Sequence, residues 1–365
     1  MDLSRLLIKH IFNRSGISVG SSKDNDVVIN DSSYYRDVLL KGSLGLGNSY
    51  MDGKWNSDSI DDVIYRLLSS GTHQRLAPLY NTFRDLKGFV MNRQSRQRAR
   101  KVIENHYDLP SEFYASFLDS SFQYTCAFFD GTNDLEQAQI NKMELICQKL
   151  KLKPGQRVLD IGGGWGGLAR YMADHYGVKP TVVTLSQEQA DHMRRVHGDK
   201  IEVLLCDYRD LPDELEGAEF DAVSAVGVME HVGHKNYGKF MEVIDSSLKR
   251  GGRFLLHTLY THSLLPQQNP WVDEHIFPNG ELPPIKSIRN HAQNHFHELG
   301  MHELTPNYTL TLQAWDRNLS QAIESGKVKL SKREQRKWHY YFMSYAGAFR
   351  AERVRVGQFL YEKKS

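Results

Sequence analysis

Three cysteines in 365 residues are too few for a disulfide framework. Cys126, Cys147 and Cys206 are odd in number and form no metal-type pair, so a reducing, cytoplasmic compartment is the expectation. Charge of one sign is missing too. The formal net charge is +2, which gives no polyelectrolyte signal for nucleic acid. No apolar run approaches the roughly 18 residues that span a bilayer. The first residues lack the long apolar core and small-residue cleavage site of a secretory signal. Internal repeats and low-complexity tracts are absent. What is present is ordinary apolar content, enough for a sizeable core, in a chain long enough for two domains.

The chain divides near residue 95. In residues 1–90, Leu3, Leu6, Leu7 and Ile11 recur at helical spacing. Ile60, Val63, Ile64, Leu67 and Leu68 do so more cleanly, after possible caps at Ser57 and Asp58. Gly42-Ser43-Leu44-Gly45-Leu46-Gly47 between them reads as a glycine-punctuated turn region. The block is therefore a small, mainly helical domain without a catalytic signature. Its helices either pack a core of their own, the ordinary case, or lie on a membrane. Residues 91–104 read as a basic linker, with five cations between Arg93 and Lys101. No aromatic interleaving accompanies them, so they do not read as a nucleic-acid site. Against anionic lipid each such cation adds about 1 kcal/mol.

Residues 105–365 read as a second, larger domain, where a catalytic site is expected, and from about 155 their pattern alternates. Arg157–Ile161, Thr181–Leu185, Ile201–Cys206, Phe220–Val226 and Arg253–Leu259 read as strands; Gly166–Tyr176, Gln187–His197 and Asn236–Leu248 read as helices. Strands alternating with helices give a parallel α/β sheet with right-handed crossovers and a ligand outside the carboxyl ends of its strands.

The strand ends carry the chemistry. The first runs into Asp160-Ile161-Gly162-Gly163-Gly164-Trp165-Gly166-Gly167, a D-x-G-x-G-x-G loop. This is neither the dinucleotide fingerprint nor a phosphate-binding loop ending in Gly-Lys-Ser/Thr. It suits S-adenosylmethionine, whose amino-acid end carries no phosphate: an acid takes the ammonium and backbone N–H groups take the carboxylate. The second strand ends at Thr184-Leu185-Ser186, with Gln189 one turn on, where an acid often binds a ribose. Ser186 and Gln189 can still hydrogen-bond a diol. At the third, Asp207 can accept from an adenine amine and Tyr208 can pack on the ring; as plain turn residues both are also ordinary. The fourth leads to Glu230-His231, open to a salt bridge with Lys235, a helix cap or a catalytic role. The fifth holds His257, beside the strand that carries Glu230. His291 and His295 have an i, i+4 spacing that can ligate zinc, yet nothing at fitting spacing completes a set, so no metal is expected.

With these residues assembled, the chain resembles the cyclopropane-fatty-acyl-phospholipid synthases over nearly its whole length. The matching words are Gly42–Gly47 with Tyr50-Met51-Asp52-Gly53, His106-Tyr107-Asp108-Leu109, Tyr124-Thr125-Cys126-Ala127 and the glycine loop. Asp207–Leu211, Glu230–Gly233, Leu255-Leu256-His257-Thr258, Ile276–Gly280 and Ala346–Arg350 follow in order. One departure stands out: many relatives have cysteine where Gly163 sits, which bears on the rigidity of the loop.

The resemblance implies a Rossmann-like class I methyltransferase fold, a mostly parallel seven-stranded sheet with a smaller helical amino-terminal domain. It implies transfer of a methylene from S-adenosylmethionine across the cis double bond of an unsaturated phospholipid acyl chain. A carbocation loses a proton to bound bicarbonate and the ring closes. The bicarbonate pocket would comprise Cys126, Glu230, His257, Tyr308 and the backbone of Leu259. Tyr308 alone reads as a half-buried loop aromatic. Tyr124, Thr125, Asp160, Gly162, Gly164, Thr184, Leu185, Gln189, Asp207 and Tyr208 would hold the cofactor. The implied protein is a homodimer, cytoplasmic, peripherally associated with the inner membrane surface. The alternatives are a methyltransferase giving a methyl-branched or methylene lipid, one acting on a small amine, and a nonenzymatic lipid or cofactor binder.

Overall fold

The structure, a computed structural model, describes residues 3–75, 93–94 and 110–364. The basic segment, apart from Arg93 and Gln94, and the word at 106–109 lie outside these residues. The chain gathers into two compact units that are not contiguous in sequence. One comprises 1–92, 268–278 and 308–354; the other comprises 93–267, 279–307 and 355–365. Two stretches that the linear reading assigns to a catalytic domain at 105–365 thus belong to the first unit.

The first unit is mainly helical. Its described helices include Leu3–Asn13, Ser33–Lys41, Ser43–Met51, Ile60–Ser69, Pro270–His275 and Lys332–Arg350. A small sheet joins β1 (Val19–Gly20), β2 (Val27–Ile29) and β3 (Trp55–Asn56), with β1 parallel and β3 antiparallel to β2. Its core is aromatic: Trp55 lies 5.0 Å from Tyr50, and Trp271 lies 4.7 Å from Tyr340, both edge-on. The glycine-rich word corrects a reading. Gly42 does turn the chain, but Ser43–Met51 is a helix. A Cβ on Gly45 would sit 2.0 Å from the Asp37 carbonyl, and one on Gly47 would sit 2.3 Å from the Trp271 ring. These glycines serve close packing rather than a turn, and local sequence does not distinguish the two uses.

The second unit is built on seven strands in the order β6-β5-β4-β7-β8-β10-β9. They are β4 (Arg157–Ile161), β5 (Lys179–Thr184), β6 (Glu202–Leu205), β7 (Phe220–Val226), β8 (Leu248–Tyr260), β9 (Phe296–Glu303) and β10 (Arg355–Lys363). The first five run parallel and β10 is antiparallel to both of its neighbours. Successive residues feed opposite faces, as pleating requires. Val158, Ala222 and Leu255 pack with Met143 and Ile146 of the helix Leu135–Leu150 and with Leu168 and Met172. Leu159, Val223 and Phe254 pack with Phe240 and Ile244 of the helix Tyr237–Ser247. Both faces are covered, so strands β4 and β7 read as continuous apolar runs. The sequence reading assigns no element to 135–150, 296–303 or 355–363. Much of β9 is exposed, and no alternation marks it.

Candidate active site

Strand order reverses at β4, so a ligand belongs outside the carboxyl ends of β4 and its neighbours. Gly162, Gly164 and Gly166 there take φ of 69°, 57° and 84°, a region that favours glycine. They bend the chain from β4 into the helix Gly167–Tyr176. Asp160 is buried beneath this loop. Its Oδ1 accepts from the Ser224 hydroxyl at 2.6 Å, and its Oδ2 is enclosed without a hydrogen-bond partner among the described residues. Burial pushes the carboxyl up to about 6, against the pull of that hydroxyl and of Lys142.

Gly163 stands directly over Asp160. A Cβ there would fall 2.6 Å from Asp160 Oδ2 and 2.6 Å from Val182 Cγ1. The loop is therefore settled to glycine depth. Gly163→Cys should destabilise the protein by about 1–3 kcal/mol through overpacking. A urea midpoint unchanged from the parent would show that the loop rises at no cost.

The strand-end residues are also fixed. The Thr184 hydroxyl donates to Gln189 Oε1 at 2.8 Å, Ser186 caps the helix Gln187–His197, and Leu185 lies half-buried between Thr184 and Ser186. Asp207 holds the Arg209 fork, Nε at 2.7 Å and Nη2 at 2.6 Å, while the guanidinium lies 5.3 Å from the Tyr208 ring centre. Asp207 thus carries a charged partner that sequence reasoning missed. The segment through Tyr124 and Thr125 is held from the helix Leu135–Leu150. Gln139 donates to the carbonyls of Gln123 and Thr125, and Lys142 Nζ donates to Thr125 Oγ1 at 2.9 Å. Tyr124 packs edge-on against Tyr114 and Phe117. Lys142 is wholly buried, and burial lowers its ammonium to about 8. The signal for it lay in the sequence, as a lysine on a helical stripe with Ala138, Met143 and Ile146.

Glu230 opens the short helix beyond β7, and its Oε1 accepts the Leu259 N–H at 2.5 Å. Its Oε2 is enclosed, with no partner among the described residues. Burial raises the carboxyl to about 7, offset in part by the Leu259 amide, by Glu230's own amide and by the Thr258 hydroxyl. His257 is paired in register with Val226 on the adjacent strand, and its Nε2 is likewise enclosed without a described partner. Burial, then the charges of Lys142 and Lys149, lowers its imidazole to about 3, so it is neutral near pH 7. The adjacent His231 is also held neutral by burial, lowered to about 4. An enclosed carboxyl oxygen at Glu230, on the helix just beyond β7, and an enclosed imidazole nitrogen at His257, on the adjacent β8, thus belong to neighbouring elements of one sheet.

Comparison with known proteins decides the family. The model for the mycolic acid cyclopropane synthetase family matches residues 94–359. The chain belongs to that family. It is an S-adenosylmethionine-dependent methyltransferase. It is 39% identical over 359 residues to the cyclopropane-fatty-acyl-phospholipid synthase of Escherichia coli (strain K12), covering 98% of this chain and 93% of that protein. It is 30% identical over 350 residues to the tuberculostearic acid methyltransferase of Mycobacterium tuberculosis (strain ATCC 25618 / H37Rv), covering 88% and 79%. Among solved structures, a mycolic acid cyclopropane synthase complexed with SAH and CTAB is 30% identical with a TM-score of 0.64, covering 72% of this chain and 98% of that one.

Within this cyclopropane synthetase fold the remaining expected residues fall as follows. The Cys126 thiol is buried and turned toward the carbonyls of Ala127, at 3.3 Å, and Leu304. Tyr308 belongs to the first unit and lies on the helix Thr305–Glu324, not on a loop. There it stacks obliquely on Phe349 at 4.5 Å. The preceding Pro306 hid this helix, since proline is welcome in a first turn. His291 meets the Ser287 carbonyl at 2.7 Å and His295 meets Asp245 at 3.1 Å, and no metal-type cluster occurs among the described residues.

Proposed function

We propose that the chain forms cyclopropane rings on unsaturated phospholipid acyl chains, with bicarbonate as the proton acceptor. The observation that carries this reading is the pair of enclosed groups, Glu230 Oε2 and His257 Nε2, in a chain so similar along its length to a cyclopropane-fatty-acyl-phospholipid synthase. Bicarbonate fits these residues. It offers one O–H, which suits a carboxylate acceptor, and an anionic face, which suits an imidazole N–H. When bound it would supply a base strong enough to take a proton from the methylated substrate cation. Glu230, His257, Cys126 and the main chain at Leu259 would hold it.

In this reading the alkene attacks the sulfonium methyl, and the C–S bond breaks as the C–C bond forms. The alkene is a poor nucleophile, so alignment must supply much of the rate. Asp160 would take the ammonium of S-adenosylmethionine and the loop at Gly162 and Gly164 its carboxylate. Thr184, Leu185 and Gln189 would hold the ribose, Asp207 and Tyr208 the adenine, and Tyr124 and Thr125 the methionyl end. Loss of one methyl proton closes the ring.

Mass spectrometry and proton NMR of lipids from an expressing host test the proposal. The expected product gains 14 mass units per ring, on the order of one CH₂, and shows cyclopropane proton signals. A methyl-branched or methylene product would replace this reading with the alternative one, and a methylated small amine would exclude both.

We further propose that the first unit contributes a membrane-docking surface to a cytoplasmic, peripherally bound homodimer. No helix among the described residues is long and apolar enough to cross a membrane. The helix Leu3–Asn13 leaves Leu3, Leu6 and Leu7 exposed, Leu3 by 67%, on a segment that also carries Arg5 and Lys9. Exposed leucines beside cations suit an anionic bilayer. Leu6→Glu/Leu7→Glu should cut sedimentation with phosphatidylglycerol vesicles about tenfold, with S-adenosylmethionine binding retained. Undiminished sedimentation would exclude this helix as the contact.

A further inference from the structure

The enclosed imidazole of His257 has a definite proton placement, set by a chain of groups behind it. On β10, Gln358 is paired in register with His257 of β8. Its side chain is buried, 1% exposed, and its Nε2 lies 3.2 Å from His257 Nδ1. Its Oε1 lies 2.7 Å from Lys149 Nζ. Lys149 lies half-buried on the helix Leu135–Leu150, with His302 Nδ1 a further 3.2 Å from its Nζ.

Hydrogen-bond chemistry propagates in one direction along this chain. An ammonium only donates, so the atom of Gln358 that faces Lys149 must be its carbonyl oxygen. The amide NH₂ then faces His257, and an amide NH₂ only donates. His257 Nδ1 must therefore accept, and the single proton of the neutral ring resides on Nε2. That nitrogen is the one enclosed without a described partner. Burial lowers the Lys149 ammonium only to about 8, so near pH 7 it stays mostly protonated and keeps this polarity.

We infer that Gln358 and Lys149 are positioning residues that lock His257 as its Nε2–H tautomer, making it an obligate hydrogen-bond donor to the reaction's anion and never the proton acceptor. The second half of this inference rests on the bicarbonate reading above; the tautomer itself does not. It also separates the two enclosed groups by role. His257 offers a proton to hold the anion in place. Glu230, the acceptor, takes the anion's own O–H and so turns a free oxygen toward the substrate.

The test begins with wild-type protein labelled with ¹⁵N-histidine. His257 signals, assigned by difference from His257→Gln, should show a pyridine-type Nδ1 and a pyrrole-type Nε2. A pyrrole-type Nδ1 would overturn the inference directly, whatever the enzyme makes. Gln358→Glu then replaces the donor with an acceptor of the same shape. The two ¹⁵N signals should exchange. Turnover should fall about 10- to 100-fold, with S-adenosylmethionine affinity held and the half-saturating bicarbonate concentration raised. Lys149→Met, which removes the donor that orients the amide, should show a mixture of both tautomers. An exchanged tautomer with full turnover would refute the donor role. Should the lipids carry no ring while wild-type His257 still shows Nε2–H, the functional reading fails and the lock stands.

Discussion

Glu230→Gln is expected to lower ring formation about 10³-fold, at the upper end of what the loss of one preorganised hydrogen bond at a reacting group costs. Its cofactor affinity should be unchanged. The glutamine can keep the contact with the Leu259 N–H, which now meets Glu230 Oε1. What it loses is acceptance at the second atom, the enclosed Oε2, where it would present an NH₂. In the proposed site that NH₂ confronts the O–H of the anion, donor against donor.

The same substitution should show in stability, with a sign that follows from the carboxyl's position. Burial raises Glu230 from 4.5 to about 7 in the folded protein. The folded state therefore prefers the protonated acid. Its contribution is fully present below pH 4.5 and is lost as pH rises through 7. Each tenfold gain in proton affinity is worth about 1.4 kcal/mol, so wild type gives up about 3 kcal/mol across that window. The glutamine does not titrate. The stability of Glu230→Gln relative to wild type should therefore improve by about 3 kcal/mol between about pH 4 and pH 8. Urea midpoints at several pH values measure the gap. Parallel curves for the two proteins would show that Glu230 sits in water-like surroundings, and the enclosed pocket would have to be abandoned.

The sheet was legible because its strands obey the simplest rule. β4, β7 and β8 are covered on both faces, so they stand out as apolar runs, and the polar residues within or just beyond them draw the eye. Asp160, Thr184, Asp207, Glu230 and His257 were singled out as candidates on that ground. The residues that sequence missed are those whose meaning depends on a partner far along the chain. Gln358 lies about a hundred residues beyond His257, and only pairing of β10 with β8 brings the two together. Lys149 and Lys142 lie on a helix to which the sequence reading gave no element. Arg209 sits two residues past Asp207, yet a basic residue in a turn does not announce a bidentate ion pair. Gly45 and Gly47 show the opposite failure: a strong local signal for a turn, overridden by the need to admit the Asp37 carbonyl and the Trp271 ring against a helix.

Asp160 gives the second large effect, on cofactor binding. Asp160→Asn should weaken S-adenosylmethionine binding about 10- to 100-fold, the worth of one hydrogen bond between charged groups. Wild-type affinity should carry a pH signature that the variant lacks. Burial holds the Asp160 carboxyl at about 6, so it is ionised at neutral pH and becomes protonated below that value. An ammonium gains nothing from a protonated acid. Affinity should therefore fall about tenfold between pH 7 and pH 5 in wild type, approaching that of the neutral variant, and stay flat in Asp160→Asn. Lys142 sharpens the test, because its buried charge also helps keep Asp160 ionised. Lys142→Met should move the wild-type inflection to higher pH and so weaken binding even near neutrality. The rival role for Asp160 is internal, a carboxyl that only receives the Ser224 hydroxyl beneath Gly163. On that account Asp160→Asn would bind the cofactor as wild type does at every pH, and isothermal titration at pH 5, 6, 7 and 8 separates the two.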